Sequence, residues 1–309
     1  MRTLITGGTG FVGKAILEAT RYSDRLGTIT IAARNRPRYT PAGITFCSWN
    51  LLEKSPLEAN FDLLIHAATP AIIDLANPVN TYETSLLTMT NLISFAEQHK
   101  RAPRILFASS GAVYGDRVDD SSHIQESWDH VGDLSTLNDY GRGKLSAEKI
   151  LWNASRAGKC EAIIARMFTF SGRFLPLDQH FAIGNFVGQA VLEKRITVRS
   201  DGLSIRSYLD SADMASWLIT AALEGTSDLP LHIGSERSIN IAELATLVAE
   251  IAGELINQQI QVEVLGQKSV IDGIRSYVPS TELTRQTLLV RETVNLEDSI
   301  IKMFQSLSV

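Results

Sequence analysis

Along the first half of the chain, short continuous apolar runs alternate with longer stretches in which apolar side chains recur every three or four positions. The runs are "RTLIT" (2–6), "GTITIAA" (27–33), "ITFCSW" (44–49), "FDLLIHAA" (61–68), "RILFASS" (104–110) and "EAIIARM" (161–167). They lack the apolar–polar alternation of a half-exposed strand, so they predict strands buried on both faces. Helices are predicted between them over 10–23, 81–100 and 138–155, the first carried by Phe11, Ala15, Leu17 and Ala19. Strands alternating with helices predict an α/β fold, a doubly wound parallel sheet with helices on both faces.

After Arg166 the pattern loosens. Residues 171–186 read as a loop, 186–195 as a helix, and 210–225 and 240–255 as further helices with short strands between. Asp210 and Asn240 are the expected N-caps of the last two, with Asp213 and Glu243 three residues on as capping-box partners. No internal repeat or low-complexity tract interrupts the chain.

Composition narrows the picture. The chain has 309 residues, 44% hydrophobic and 20% charged, with a net charge of −5. That balance supplies no electrostatic reason to expect nucleic acid or an anionic membrane as a partner. No apolar run approaches the ~20 residues needed to span a bilayer, and no secretory leader is visible, so a cytoplasmic protein is expected. Cys47 and Cys160 lie far apart and predict free thiols. The histidines are dispersed, and no metal site is expected.

The segment "TGGTGFVG" (6–13) follows the first strand and opens the first helix. Glycines there permit a tight turn and close approach to a pyrophosphate, and the helix N-terminal amides face the phosphates. Gly7, Gly10, Phe11, Val12 and Gly13 are therefore expected to hold a dinucleotide, and the sheet is expected to be of the Rossmann type. An acid about 20 residues on would grip the ribose 2′-hydroxyl of NAD. The second strand instead ends in Ala32, Ala33 and Arg34. A small residue followed by a guanidinium favours a 2′-phosphate, which makes NADP the expected cofactor and NAD the second choice.

"YGRGK" places Tyr140 and Lys144 four apart on a predicted helix, on one face. A nearby ammonium stabilises a phenolate and lets tyrosine act as general acid/base. Ser110 ends a strand of the same sheet, at the edge of the expected ligand crevice.

Together "TGGTGFVG", "LIHAA" (64–68), "SSGAVYG" (109–115), "YGRGK" (140–144) and "RSYLDSADMA" (206–215) resemble the extended short-chain dehydrogenase/reductases, in their nucleotide-sugar (NAD-dependent epimerase/dehydratase) branch. The resemblance spans nearly the whole chain. It implies a catalytic triad in which Ser110 orients the substrate oxygen, Tyr140 is the acid/base and Lys144 also binds the nicotinamide ribose. It places His66, Ala67 and Ala68 on the cofactor side. Asn50 stands where an aspartate usually meets the adenine amino group, with Leu51 beside it. Thr169, Asn185, Phe186, Arg206 and Arg275 are the implied substrate-binding residues, Thr169 standing where asparagine is frequent. The resemblance also implies a nucleotide-diphosphate sugar as substrate and a homodimer formed through the helices holding "TSLLTMTNLI" and "YGRGKLSAEKIL". Residues 1–166, with parts of 205–235, are expected to form the dinucleotide-binding domain, and 167–309 an interleaved, smaller C-terminal α/β substrate-binding subdomain.

Reactions in this branch share hydride transfer, usually at sugar carbon 4, and differ afterwards. Sugar 4,6-dehydratases carry an Asp-Glu pair after the serine or threonine; here Gly111 and Ala112 stand in those places, which disfavours dehydration. Ser110, Tyr140 and Lys144 suffice for a 4-ketoreductase or a 4-epimerase. A non-catalytic dinucleotide-binding sensor is the reading from another class, and such proteins usually lose the tyrosine or the lysine.

Overall fold

The computed structural model describes residues 1–37, 40–68, 80–115, 123–126, 131–179, 181–226, 229–266 and 276–307. The six apolar runs are strands: β1 (Arg2–Thr6), β2 (Thr28–Ala33), β3 (Ile44–Ser48), β4 (Leu63–His66), β5 (Arg104–Ser110) and β6 (Glu161–Met167). Helices α1 (Phe11–Ala19), α2 (Thr81–Ala96) and α3 (Asp139–Arg156) cover them. Beyond β6 come β7 (Phe170–Ser171), α4 (Ala182–Leu192), β8 (Arg195–Val198), β9 (Ile205–Ser207), β10 (Leu209–Asp210) and α5 (Ser211–Glu224). The chain continues through β11 (Leu231–Ile233), β12 (Ser238–Asn240), α6 (Ile241–Ile256), β13 (Gln261–Val264), β14 (Ser276–Tyr277), α7 (Glu282–Leu288) and α8 (Leu296–Gln305).

A seven-stranded sheet forms in the order β3-β2-β1-β4-β5-β6-β11, every neighbouring pair parallel. Consecutive residues in β1 explain its lack of alternation: Leu4 and Ile5 are both fully buried, on opposite faces. Leu4 packs with α2 and α3 residues such as Leu92 and Leu151, while Ile5 packs with Trp217 and Leu218 of α5. Burying a side chain of this size contributes about 1.5–3 kcal/mol relative to exposure. Strand order reverses between β1 and β4, which opens a crevice at their carboxyl ends.

A second hydrophobic cluster lies under α4, α6 and α8. Helix α4 begins at Ala182, earlier than the predicted 186–195, and ends at Leu192. Gly184, a poor helix former, obscures the period in the sequence. Ile183, Phe186, Val187 and Ala190 nevertheless present one buried face. The capping box of α6 forms as predicted: Asn240 Oδ1 accepts from Glu243 N at 2.8 Å, and Glu243 Oε2 accepts from Asn240 N at 3.3 Å. Asp210 caps α5, accepting from Ala212 N at 2.8 Å. Asp213 departs from its expected capping role. Its carboxylate accepts from Thr293 N at 2.8 Å and Val294 N at 3.0 Å, fastening the C-terminal segment to α5. Among the described residues, no helix is long and apolar enough to cross a membrane, and Cys47 and Cys160 are both free thiols.

Candidate active site

Three neighbouring segments of the sheet meet at the crevice: the turn after β1, the end of β4 and the end of β5. Gly7 adopts φ +75°, which only glycine does without strain. A Cβ on it would lie 2.7 Å from the backbone of Ala67 and Ala68, so β1 and β4 could not approach as they do. Gly13 is equally confined, its Cβ falling 2.4 Å from Gly7 O. Before Gly10 the space is open, with Gly7 O at 3.4 Å its nearest neighbour. Gly10 has no side chain to cap α1, so the amides of Phe11 and Val12 remain for an anion. This cradle fits a dinucleotide pyrophosphate. The Phe11 ring itself leans on Phe170, with ring centroids 6.3 Å apart, so its part in the cradle falls to the backbone.

His66 closes the floor of the crevice. Its Nδ1 shares a 2.7 Å hydrogen bond with Thr6 Oγ1, and its ring stacks on Phe107 at 5.5 Å. Burial, with Lys144 nearby, pushes its pKa down to about 3, so it stays neutral. Leu51 is buried in the core beside β3. Asn50 and Arg34 line one cleft of about 340 Å³ with Ser48, Trp49, Glu53, Lys54 and Pro56. The Asn50 carboxamide is partly engaged there: Nδ2 donates to Glu53 Oε1 at 2.9 Å, and Oδ1 accepts from Leu52 N at 3.3 Å.

Ser110 ends β5 and caps the short 3₁₀ turn Gly111–Tyr114, its Oγ accepting from Ala112 N at 3.1 Å. Helix α3 starts behind it, capped by Asn138 Oδ1 accepting from Gly141 N at 2.8 Å. That start sets Tyr140 one turn ahead of Lys144, as the spacing predicts. Lys144 is buried, donating from Nζ to Ala108 O at 2.6 Å, with Nζ 5.7 Å from the Tyr140 ring centroid. Burial brings its pKa down to about 7, against the opposing pull of Glu148. Burial raises Tyr140 above the usual phenol range, and the nearby Ser110 hydroxyl works against that rise.

The substrate-side expectations divide. Arg206 lies on β9, with Nη1 donating to Ile205 O at 2.7 Å and its guanidinium 5.8 Å from the Tyr277 ring. Asn185 is half-buried on α4. The Phe186 side chain, expected to meet a nucleotide, is instead buried in the cluster beneath α4. The Thr169 hydroxyl donates to Ser207 O, so its one proton serves the fold. Arg275 lies outside the described residues.

Sequence reasoning missed two features. One is a buried polar network beneath the triad. Arg166 donates from Nε to Glu148 Oε1 at 3.1 Å, from Nη2 to Glu148 Oε2 at 2.8 Å and from Nη1 to Tyr114 Oη at 2.7 Å. Ser109 Oγ donates to Glu148 Oε1 at 2.5 Å, and Tyr114 Oη meets His232 Nε2 at 2.6 Å. Glu148 continues the 140–144–148 spacing, which is the signal that was available. The other is Tyr277, which β14 brings against Gly111; no local pattern announces it.

A family model described as the NAD dependent epimerase/dehydratase family matches residues 3–242. The chain is similar to UDP-glucuronic acid decarboxylase 3 of Arabidopsis thaliana, 28% identical over 313 residues that span 97% of this chain and 87% of the relative. Its fold matches a dTDP-glucose 4,6-dehydratase from Bacillus anthracis in complex with NAD, with TM-score 0.79, 17% identity, and 99% of this chain and 96% of that one covered. It also matches a UDP-glucuronic acid 4-epimerase from Bacillus cereus in complex with a fluorinated UDP-glucuronic acid and NAD, with TM-score 0.79, 18% identity, and 99% and 98% covered.

These findings overturn the expectation of NADP: the family is NAD dependent, and both structures hold NAD. The physical reason lies in the ambiguity of an arginine. Arg34 is exposed at the turn after β2, and a flat guanidinium stacks on an aromatic face as readily as it forks a phosphate. Its presence therefore does not select a 2′-phosphate.

Proposed function

Because the chain belongs to the NAD-dependent epimerase/dehydratase family, we propose that it oxidises carbon 4 of a nucleotide sugar and reduces the same carbon again, as a 4-epimerase. NAD fits the glycine cradle and, when bound, supplies the acceptor for the carbon-4 hydride and its return. The Gly7, Gly10 and Gly13 turn would hold the pyrophosphate on the amides of Phe11 and Val12, with Ala67, Ala68 and His66 behind it. Arg34 and Asn50 border the space assigned to the adenosine end, with Leu51 buried in the core beside them. Residues 1–166, with parts of 205–235, carry the cofactor in this reading, and 167–309 carry the sugar nucleotide.

The chain's own chemistry is proton movement. Tyr140 takes the proton of the carbon-4 hydroxyl as the carbonyl forms and gives it back on reduction. Ser110 hydrogen-bonds the same oxygen and holds it against the phenol. A phenolate on Tyr140 draws a proton onto Lys144, whose pKa lies near neutrality, and the resulting ammonium favours the phenolate. The two groups titrate as a pair. Arg206 is assigned to the substrate diphosphate, and Asn185 to its nucleotide.

The observation carrying this reading is the convergence of Ser110, Tyr140 and Lys144 in a site where Gly111 and Ala112 bring no acid or base. With NAD as cofactor, a cycle that restores it favours the epimerase over a ketoreductase, which consumes external reductant. A second reading is decarboxylation of a UDP-uronic acid, favoured by the similarity to UDP-glucuronic acid decarboxylases. Oxidation at carbon 4 of such a sugar creates a β-keto acid, which loses CO2 without a further acid. Incubation with UDP-glucose, UDP-galactose and UDP-glucuronate, followed by mass spectrometry and NMR, separates the two. An inverted carbon 4 at unchanged mass supports epimerisation, and loss of CO2 supports the second reading. A 4-keto-6-deoxy product would refute both. Homodimerisation through α2 and α3 belongs to the same proposal; both helices carry exposed large apolar side chains, Leu87 and Trp152.

A further inference from the structure

A row of three buried side chains runs across the sheet and ends under a lysine. Thr6 of β1 pairs in register with His66 of β4, and His66 pairs with Phe107 of β5. Register partners in a pleated sheet project to the same face, so these side chains meet. Thr6 Oγ1 and His66 Nδ1 share a 2.7 Å hydrogen bond. The His66 ring stacks on Phe107, with centroids 5.5 Å apart and planes 20° from parallel. Lys144 Nζ, from α3, lies over the Phe107 ring at 4.8 Å from its centroid.

That distance is inside the ~6 Å at which the negative face of an aromatic ring attracts a cation. Ala108, the next residue of β5, accepts from Nζ through its carbonyl at 2.6 Å. Two consecutive residues of one strand therefore hold the lysine head, one by its ring and one by its carbonyl. The Tyr140 ring centroid lies 5.7 Å from the same Nζ. We propose that Phe107 is a positioning residue for Lys144: its ring, braced by His66 and Thr6, holds the ammonium beside Tyr140 and favours the charged form there. The inference rests on the reading of Lys144 as the cation that serves the Tyr140 phenolate.

Burial drives a lysine toward the neutral amine, and Lys144 already titrates at about 7. A further fall of one pH unit would cut its ammonium at neutral pH from about half of the molecules to about a tenth. The titratable groups facing Lys144 among the described residues are His66 from β4, and Tyr140 and Glu148 from its own helix. His66 is held neutral by burial, and both Glu148 oxygens are shared with Arg166 of β6. Helix α2, packed on α3, brings the uncharged Thr81 and Ser85 to Gly143. An aromatic face attracts the ammonium yet cannot take its proton. Lys144 thus stays the group that exchanges a proton with Tyr140.

The test is an NMR titration of isotope-labelled lysine in the whole chain saturated with NAD, the Lys144 signal being the one missing in Lys144→Met. Phe107 is replaced by mono-, di- and trifluorophenylalanine, which drain the negative face of the ring at nearly constant shape. The Lys144 midpoint is expected to fall stepwise with each fluorine, by about half to one pH unit in the trifluoro protein. Phe107→Leu keeps an apolar side chain without a π face, and its midpoint is expected to fall at least as far. A role in packing alone would leave the titration indifferent to the fluorine count. An unmoved midpoint across the fluorinated series overturns the proposal, as does a Phe107→Leu midpoint equal to the parent's. Neither measurement requires turnover, so failure here leaves the proposed reaction to be judged by the sugar panel.

Discussion

Replacing Arg166 by methionine removes the cation from a pair in which both side chains are fully buried. The guanidinium satisfies both Glu148 oxygens, at 3.1 and 2.8 Å, and donates to Tyr114 at 2.7 Å. Methionine fills comparable space but leaves Glu148 with only the Ser109 hydroxyl as a hydrogen-bond donor among those contacts. Stranding one member of a buried pair costs about 3–5 kcal/mol, a large share of the ~5–15 kcal/mol that holds a typical protein folded. Removing both charges is far milder, because no uncompensated ion remains. Urea unfolding followed by tryptophan fluorescence measures both variants. Arg166→Met is expected to lose about 3–5 kcal/mol, and Arg166→Met with Glu148→Leu to recover most of it. A single variant within about 1 kcal/mol of the parent, or a double variant no better than the single, refutes the reasoning.

Other outcomes follow from the same geometry. Gly111→Ala places a Cβ 2.5 Å from Tyr277 Oη and 2.8 Å from the Phe168 ring; overpacking of this kind costs about 1–3 kcal/mol, and unchanged thermal unfolding and turnover would contradict the packing described. Gly7→Ala strains a φ of +75° against the β4 backbone; NAD affinity by calorimetry should fall about tenfold or more, and an unchanged Kd would dismiss the cradle. His66 and His232 are buried with pKa values pushed down to about 3. Between pH 6.5 and 3 the unfolded chain binds the extra protons, so stability drops as the pH is lowered, at on the order of 1.4 kcal/mol per unit for each histidine. Urea titrations at pH 7 and 5 measure this, and equal stability at both would refute it.

The sheet was legible because parallel strands buried on both faces must be apolar at consecutive positions, as Leu4–Ile5 and Leu64–Ile65 are. Tyr140 and Lys144 were legible because helical spacing puts them on one face, and the glycine turn because Gly7 cannot be replaced in its backbone conformation. Tyr277 was not, since only the tertiary pairing of β14 with β9 carries it to Gly111. Arg166 and His232 read as an ordinary strand end and a scattered histidine; β6 and β11 lie side by side and join them through Tyr114. The misplaced start of α4 and the NADP expectation have local causes. Gly184 hides a helical period, and an exposed arginine serves more than one ligand.

The central claim is redox chemistry at sugar carbon 4 with Tyr140 as the proton carrier. Its most direct test is the rate of transient NAD reduction in a single turnover, with UDP-glucose and UDP-glucuronate carrying hydrogen or deuterium at carbon 4. The account predicts reduced nicotinamide forming several-fold more slowly from the deuterated sugar. Equal rates from the two isotopologues, or no reduced nicotinamide at all, would contradict it.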